Sequence, residues 1–224
     1  IMICGGPSVG KTSVAVRLAR LVARDGRAVA ACKIDCLHSD DLTAFRALGV
    51  PCALGLSGDI CPDHYLVSNL EEIIDWAGQK GADTLMIETA GLCNRCSPAT
   101  KNSIALCVVD CSCGIAAPKK LGPMLTQADI VAMTKIDAVS QAEREIFTRN
   151  IQLLNPAAAV IAVDASSGYG IEQVYARIAA YPDFDNFGED SLRHSMPGGV
   201  CSYCVGERRI GKGYQQGIVE KIAL

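Results

Sequence analysis

Apolar runs of strand length alternate along the chain with segments in which apolar residues recur at helical spacing. The runs are rich in Ala, Val and Ile and lie at Ile1–Cys4, Ala28–Ile34, Leu85–Ile87, Ile104–Val109, Ile130–Met133 and Val160–Val163. The periodic segments predict helices at Lys11–Arg24, Tyr65–Gln79, Ser140–Leu154 and Ile171–Ala180. Strands that alternate with helices of this length predict an α/β fold with a mainly parallel sheet.

The character of the chain changes after Pro182. Residues 183–199 are polar and rich in Gly and Asp, and residues 201–224 carry the pair Cys201 and Cys204. We therefore predict a main domain at residues 1–182, followed at residues 183–224 by a linker and a short Cys-containing C-terminal appendage. The appendage is expected to form a short β-rich or hairpin element.

Composition narrows the class of protein. Of the 224 residues, 50% are hydrophobic and 5% are aromatic, which suits an aliphatic core around a buried parallel sheet. The net charge of −3 gives no sign of nucleic acid or an anionic membrane as a partner. No apolar run approaches a membrane span and no basic n-region precedes the first run, so we expect a soluble, cytoplasmic protein without a signal peptide. The start at Ile1 rather than Met indicates that a few residues are missing upstream.

A phosphate-binding loop lies between the first strand and the first helix. The stretch C-G-G-P-S-V-G-K-T-S fits the pattern G-x-x-x-x-G-K-S/T. Its glycines let backbone N–H groups curl around phosphate oxygens, and the helix N-terminus adds its positive dipole. The predicted phosphate-binding residues are Gly5, Ser8, Gly10, Lys11, Thr12 and Ser13. The motif makes the predicted fold a P-loop NTPase, a three-layer sandwich of helices around the sheet.

Two acids end strands beside this loop. Asp35 ends A-C-K-I-D, and Glu88 ends L-M-I-E shortly before Gly91, which we interpret as a switch glycine that senses the nucleotide. Acids at the carboxyl edge of parallel strands can hold Mg²⁺ and position attacking water. The predicted catalytic residues are Lys11, Asp35 and Glu88, and the predicted Mg²⁺ residues are Thr12, Asp35 and Glu88. The alternative for Asp35 is a solvated strand end, because Asp40 and Asp41 compete for the same role.

A second motif predicts which base is bound. M-T-K-I-D contains Thr134, Lys135 and Asp137 in the N/T-K-x-D pattern of GTPases, in which the aspartate accepts both guanine N1–H and the exocyclic amine. Ala165 and Ser166 resemble the last base-contacting loop of these proteins, so GTP and GDP are favoured over adenine nucleotides. The alternative is a surface Lys–Asp pair. No Gln or Arg suited to activating water follows Gly91, so slow hydrolysis that depends on a dimer or a partner is expected.

The twelve cysteines are unusual for an α/β domain. Some lie inside apolar runs, where a thiol is a small hydrophobe. Others form pairs with metal-ligand spacing, and the predicted ligands of a transition metal are Cys61, His64, Cys93, Cys96, Cys201 and Cys204. Cys93, Cys96, Cys201 and Cys204 could instead share one four-cysteine site, or the tail pair could form a structural zinc knuckle. Soft sulfur donors bind Zn²⁺, Ni²⁺ and iron–sulfur clusters, and the type of donor alone does not distinguish these. A dithiol–disulfide redox switch is a further alternative for the paired cysteines.

In the order of these motifs, the chain from Ile1 to Tyr181 resembles the SIMIBI-class P-loop GTPases that deliver nickel, the urease accessory and hydrogenase nickel-incorporation GTPases. A-P-K-K-L-G-P-M-L-T-Q-A-D-I-V-A-M-T-K-I-D is similar to the urease GTPase segment that runs into the guanine motif, and I-E-T-A-G is similar to its I-E-S-G-G. The resemblance implies a GTP-dependent homodimer that holds a metal, with nickel first, and passes it to a client metalloenzyme or its accessory proteins.

The resemblance also bears on single metal residues. Cys61 matches a metal cysteine of both relatives, whereas His64 lies one residue later than their histidine. N-R-C-S-P is similar to a stretch of the hydrogenase GTPase in which Cys96 matches the metal cysteine, and Cys93 has no counterpart. The resemblance therefore implies a site at Cys61 and Cys96 and leaves Cys93 unexplained.

Overall fold

The computed structural model describes residues 1–184, 190–195, 206–214 and 220–224. Cys201 and Cys204, predicted as metal ligands, lie outside the described residues. Among the described residues, no helix is both long enough and apolar enough to cross a membrane.

The centre of the molecule is a seven-stranded sheet in which every pair of neighbouring strands is parallel, in the order β3-β2-β4-β1-β5-β6-β7. The strands are β1 Met2–Cys4, β2 Val29–Asp35, β3 Cys52–Leu56, β4 Thr84–Glu88, β5 Ala105–Asp110, β6 Ile130–Thr134 and β7 Ala159–Ala162. Because all strands run the same way, their carboxyl ends meet at one edge, and the chain order reverses around β1. The edge beside β1 is therefore where the phosphate loop and the acids come together.

Helices cover both faces of the sheet. They are α1 Lys11–Arg24, α2 Leu42–Arg46, α3 Pro62–Gln79, α4 Pro123–Thr126, α5 Gln141–Leu154 and α6 Ile171–Ala179. On one face, α1 and α6 pack buried side chains such as Leu18 and Val174 against the sheet. On the other face, α3 contributes Leu66 and Ile73, and α5 contributes Phe147. The three-layer P-loop sandwich expected from the sequence is confirmed.

The predicted strands and long helices agree closely with the structure, but an edge strand was missed. The stretch C-A-L-G-L of β3 lacks the β-branched residues that mark a strand and contains Gly55. The glycine leaves room for neighbouring side chains, since a Cβ would lie 2.7 Å from Ile34 and 2.9 Å from both Tyr65 and Ile222. Helix α3 also begins earlier than predicted, at Pro62, a residue whose fixed φ suits the first turn of a helix.

The described parts of the C-terminal segment pack against the main body. Leu192, Ile210 and Ile222 are buried in the same apolar cluster as Ile73 of α3. Two isolated antiparallel bridges, Thr100 with Leu192 and Ser191 with Arg209, are the β-structure of this segment among the described residues. The domain boundary at residue 182 stays a prediction.

Candidate nucleotide and metal site

The phosphate loop turns sharply between β1 and α1. Gly5 and Gly10 have φ values of 143° and 95°, and Ser8 takes a left-handed φ of 58°. Gly5 is irreplaceable on steric grounds, because a Cβ would lie 2.2 Å from the carbonyl oxygen of Val108 on β5. The turn leads straight into the N-terminus of α1, so the loop presents backbone N–H groups and the positive end of the helix dipole to one space. Ser8 and Ser13 are exposed beside it.

Lys11 folds back over this loop. Its Nζ donates hydrogen bonds to the carbonyl oxygens of Gly5 at 3.1 Å and Gly6 at 2.8 Å, and it reaches the Ala90 carbonyl at 3.5 Å. The side chain is buried, and this burial lowers the pKa of Lys11, an effect that the Glu88 charge opposes. The ammonium is therefore already held at the loop that would receive the phosphates.

Glu88 lies between the phosphate loop and β2. One carboxylate oxygen, Oε1, accepts a hydrogen bond from the Thr12 hydroxyl at 2.9 Å and another from Lys33 Nζ. The other oxygen, Oε2, is buried and has no hydrogen-bond partner among the described residues. Burial raises the pKa of Glu88, although Lys33 works in the opposite direction. The predicted Mg²⁺ residues Thr12 and Glu88 are thus in direct contact.

Asp35 is joined to the same group through Lys33. The Lys33 ammonium lies 4.0 Å from Asp35 and 2.9 Å from Asp41, which precedes α2. Burial would raise the pKa of Asp41, but the hydrogen bond and the charge of Lys33 lower it. Burial would lower the pKa of Lys33, but the neighbouring carboxylates raise it.

Sequence reasoning missed Lys33. The signal that could have found it is a lysine inside the otherwise apolar run V-A-A-C-K-I-D, because a lysine in a buried strand needs a carboxylate partner. Asp41 was noted in the sequence only as a competitor of Asp35.

The predicted base-contacting residues lie at the other end of the loop. Thr134 donates its hydroxyl proton to the Val9 carbonyl at 2.6 Å, which ties β6 to the phosphate loop. Lys135 has a left-handed φ of 53° and pairs with Asp110 at 2.6 Å. Asp137 is exposed in the following 3₁₀ turn, with its carboxylate accessible to a ligand. Asp110, at the end of β5, is a further acid that sequence reasoning missed.

The loop that carries Ala165 and Ser166 is fixed to α1. The Arg17 guanidinium donates hydrogen bonds to the backbone carbonyls of both residues. Asp164 accepts hydrogen bonds from the Ser166 backbone N–H at 2.8 Å and the Ser166 hydroxyl at 2.6 Å, and these bonds lower the pKa of Asp164. The structure therefore places this loop, the phosphate loop and Asp137 around the start of one helix and the strands beside it.

A cluster of side chains that could hold a metal ion includes two cysteines of the loop that follows Gly91. One ligand atom from each of Asp63, Cys93 and Cys96 lies within 4.8 Å of the other two, and this is the group of three such residues found in the described part of the chain. Asp63 and Cys96 are buried and Cys93 is half-buried. Burial raises the pKa of Asp63 to about 6.

The cluster differs from the expected ligand set. Cys61 and His64 flank Asp63 at the start of α3 but do not belong to the group of three. Sequence reasoning missed Asp63 because it placed the start of the helix at Tyr65, whereas the structure puts Asp63 in the first helical turn. The ten described cysteines form no disulfide bonds with one another.

Gly91 connects the two sites. It has a φ of 75°, and a Cβ there would lie 1.8 Å from the Gly5 carbonyl oxygen and 3.0 Å from Lys11 Nζ. The backbone of the loop that carries Cys93 and Cys96 is therefore in van der Waals contact with the phosphate loop.

Comparisons with known proteins show the family of the chain. A family profile for the CobW/HypB/UreG nucleotide-binding domain matches residues 1–162. An uncharacterised protein of Methanocaldococcus jannaschii is 44% identical over 221 residues, which cover 99% of this chain and 94% of that protein.

Solved structures share the fold. The hydrogenase maturation factor HypB of Archaeoglobus fulgidus aligns with a TM-score of 0.65 and 20% identity, over 80% of this chain and 87% of that one. HypB of Helicobacter pylori, crystallised in complex with nickel, aligns with a TM-score of 0.64 and 18% identity, over 83% and 89% of the two chains. With its phosphate loop, its all-parallel sheet and the match over most of its length, the chain belongs to the CobW/HypB/UreG family and has the SIMIBI-class P-loop GTPase fold.

Proposed function

We propose that this protein is a GTP-dependent metallocentre maturation factor that binds a transition metal, with nickel as the first candidate, and delivers it to a client metalloenzyme. GTP binds at the phosphate loop with Mg²⁺, and the metal is cargo held by thiolates next to the nucleotide switch. Membership of the CobW/HypB/UreG family and the fold of HypB support this function.

The observation that carries the proposal is the position of the Asp63, Cys93 and Cys96 cluster. Cys93 and Cys96 lie in the loop that leaves Gly91, and Asp63 lies in the first turn of α3. Gly91 itself contacts Gly5 and Lys11. Cys93 is two residues from Gly91 along the chain, so a change at the phosphates that displaces Gly91 also displaces Cys93. This is the arrangement that nucleotide-controlled release of a metal requires.

The donor set favours a borderline metal ion. Two thiolates with one carboxylate suit Zn²⁺, Ni²⁺ or Fe²⁺ better than Mg²⁺ or Ca²⁺, which prefer oxygen donors alone. Three donors leave at least one coordination position of a tetrahedral ion for a further ligand. The predicted ligands Cys61, His64, Cys201 and Cys204, or a second copy of the chain, are candidates for that position.

The nucleotide chemistry follows the P-loop pattern. Lys11 neutralises charge on the phosphates, Thr12 ligates Mg²⁺, and Glu88 and Asp35 hold its water shell and the attacking water. Asp137 reads guanine, and Lys135 must leave Asp110 to cover the base or ribose. We propose that hydrolysis is slow and waits for a GTP-dependent homodimer or a partner; turnover above about 1 s⁻¹ by the isolated monomer would approach partner-assisted rates and contradict this.

Metal binding by the nucleotide-free, GDP-bound and GTP-analogue-bound forms tests the proposal. Anaerobically purified protein is titrated with Ni²⁺ and with Zn²⁺ and analysed for bound metal and for oligomeric state. We expect stoichiometric binding that weakens when Cys93 and Cys96 are both changed to Ser and that depends on the nucleotide. The control is Cys113→Ser, an exposed cysteine outside the cluster.

Two other outcomes would replace the proposal. A brown protein that absorbs near ~400 nm would indicate an iron–sulfur cluster on these thiolates. Reversible two-electron oxidation of Cys93 and Cys96 without bound metal would indicate a thiol switch, since their sulfur atoms lie within 4.8 Å of each other.

A further inference from the structure

Lys33 is a buried lysine that the phosphate and base motifs do not explain. It is 5% exposed on β2 and stands opposite Glu88 in the register of β2 and β4. Its ammonium contacts carboxylates from separate parts of the chain: Glu88 at the end of β4, Asp41 at 2.9 Å and Asp35 at 4.0 Å. A lysine in the interior of a sheet lowers stability unless such carboxylate partners are present. The contacts with these three carboxylates are therefore the reason that a lysine can occupy this position.

The carboxylates around Lys33 require a positive charge between them. Three carboxylates converge on one ammonium, and Glu88 is almost completely buried, so repulsion between the acids is poorly screened there. Glu88 Oε1 is shared between Lys33 and the Thr12 hydroxyl, whereas Oε2 has no partner among the described residues. The ammonium therefore supplies, beside Thr12, positive charge of the kind that Mg²⁺ supplies in a nucleotide complex.

We infer that Lys33 is a positioning residue that substitutes for Mg²⁺ among these carboxylates until nucleotide arrives, and that its ion pair with Asp41 latches residues 36–41 across Thr12. We call the contacts of Lys33 with Asp41 and Glu88 the Lys33 latch. The inference rests on the proposed function only in taking an Mg²⁺–guanine nucleotide as the ligand.

The latch implies a defined exchange of partners. The Thr12 oxygen would ligate Mg²⁺ through a lone pair while its proton can stay on Glu88, and the ion would then supply the positive charge beside Glu88. The ion pair with Lys33 then no longer holds Asp41 beside Thr12, and the segment before α2 is released. The latch thus slows entry of nucleotide in the free protein and couples the position of residues 36–41 to Mg²⁺.

The first experiment breaks the latch at its exposed end. The Asp41 side chain is 42% exposed, so Asp41→Asn removes the ion pair without leaving a buried charge in place of that carboxylate. Asp40→Asn is the matched control, because it removes the same charge at the neighbouring residue. The Asp40 side chain is 89% exposed and pairs with His38. Association of a fluorescent GDP analogue is measured by stopped flow with and without Mg²⁺.

We expect Asp41→Asn to bind the analogue about fivefold faster than the wild type, the size expected for one half-exposed ion pair, and Asp40→Asn to stay within about twofold. Equal association rates for the two variants would overturn the latch, because the effect would then reflect net charge alone.

The second experiment removes the ammonium. Lys33→Met leaves three carboxylates without their cation, so the nucleotide-free variant should bind Mn²⁺, used as a spectroscopic probe for Mg²⁺, about tenfold more tightly than the wild type. Unchanged Mn²⁺ affinity would show that Lys33 does not substitute for the metal. Loss of Lys33 also removes the ammonium that contacts buried Glu88 directly and leaves Lys11 as the nearby cation, so it is expected to lower stability. Asp41→Asn keeps the Lys33–Glu88 contact and avoids this loss.

The two experiments separate failure of the latch from failure of the proposed function. If the wild type binds the GDP analogue and the two Asn variants are alike, the latch is wrong and the nucleotide function stands. If the wild type binds no guanine nucleotide, the proposed function is wrong, and the Mn²⁺ comparison on nucleotide-free protein still decides whether Lys33 replaces a divalent cation.

Discussion

At the scale of single residues, the backbone of Gly91 touches the backbone of Gly5. A Cβ on Gly91 would lie 1.8 Å from the Gly5 carbonyl oxygen, so any other residue must push the two loops apart. The positive φ of Gly91 adds strain to the same substitution.

Gly91→Ala is therefore expected to lower the free energy of unfolding by about 1–3 kcal/mol and to weaken nucleotide binding at least about tenfold. Thermal unfolding and a GDP titration measure the two effects. Gly78→Ala is the control: Gly78 is an exposed helical position with nothing within 4 Å, where Ala should stabilise by about 0.5–1 kcal/mol. Normal GDP affinity in Gly91→Ala would show that the contact does not matter for the nucleotide.

Asp137→Ala tests the prediction of guanine. Loss of the carboxylate removes two charge-assisted hydrogen bonds to the base, each worth about 1.5–3 kcal/mol, so GTP affinity should fall at least about a hundredfold while the weaker ATP affinity stays the same. Competition binding with the two nucleotides measures the ratio. A parallel loss of both affinities would mean that Asp137 supports the fold and does not read the base.

At this scale, the role of a residue can be predicted from the sequence when its partners lie close to it along the chain. Lys11, Thr12 and Asp137 are recognisable because their motifs are local and each residue type has a fixed task. Lys33 and Asp63 are not, because each meets its partners through strand pairing or helix placement across long stretches of chain. Their roles appear only when β2 lies beside β4 and α3 begins at Pro62.

At the scale of elements, helix α5 shows which boundaries the sequence specifies well. Ser140 accepts a hydrogen bond from the Glu143 backbone N–H at 3.2 Å, and the Glu143 carboxylate accepts from the Ser140 backbone N–H at 2.8 Å. This capping box satisfies two N–H groups at the helix start and fixes its first residue. The start of α3 has no side-chain cap, and there the prediction was three residues late.

Ser140→Ala should lower the free energy of unfolding by about 1 kcal/mol near neutral pH, as measured by urea denaturation. The hydrogen bonds from Ser140 lower the pKa of Glu143, so the cap contributes stability above the unfolded-state pKa and loses it as pH falls through the folded-state pKa. The difference between wild type and variant should therefore begin to shrink as pH falls through the ordinary Glu pKa of about 4.3 and continue to shrink through the lower folded-state pKa. A difference that is constant with pH would show that the Glu143 charge is not involved.

At the scale of the whole molecule, the end of the chain is fastened to α3. Asn69 is completely buried, and its amide donates to the Tyr65 carbonyl at 2.9 Å and the Glu220 carbonyl at 3.2 Å. Its Oδ1 accepts from the Ile222 backbone N–H at 3.0 Å. The sequence predicted a linker and a short appendage after residue 182, and polarity and glycine content could not reveal these long-range backbone contacts.

Asn69→Ala leaves backbone groups of residues 220–222 without their buried partner. The expected loss is about 1–3 kcal/mol, or about 2–12 °C in the melting temperature of a chain of this size. Asn150→Ala, which removes one exposed bond to the Ile115 carbonyl, should change stability by about 0.5 kcal/mol or less. Equal melting temperatures for the two variants would mean that the end of the chain does not stabilise the domain.

The contact between Gly91 and Gly5 also sets how a metal could leave the cysteine cluster. Cys93 is two residues from Gly91, so the chain between them can span at most ~7 Å and has little slack. The loop cannot swing away and expose an open site while Gly91 stays against the phosphate loop. If the proposed function holds, displacement of Gly91 by the nucleotide would reach Cys93 before the other donors, which favours stepwise ligand exchange as the route of release. On this view the nucleotide would set the rate at which the metal leaves as well as its affinity.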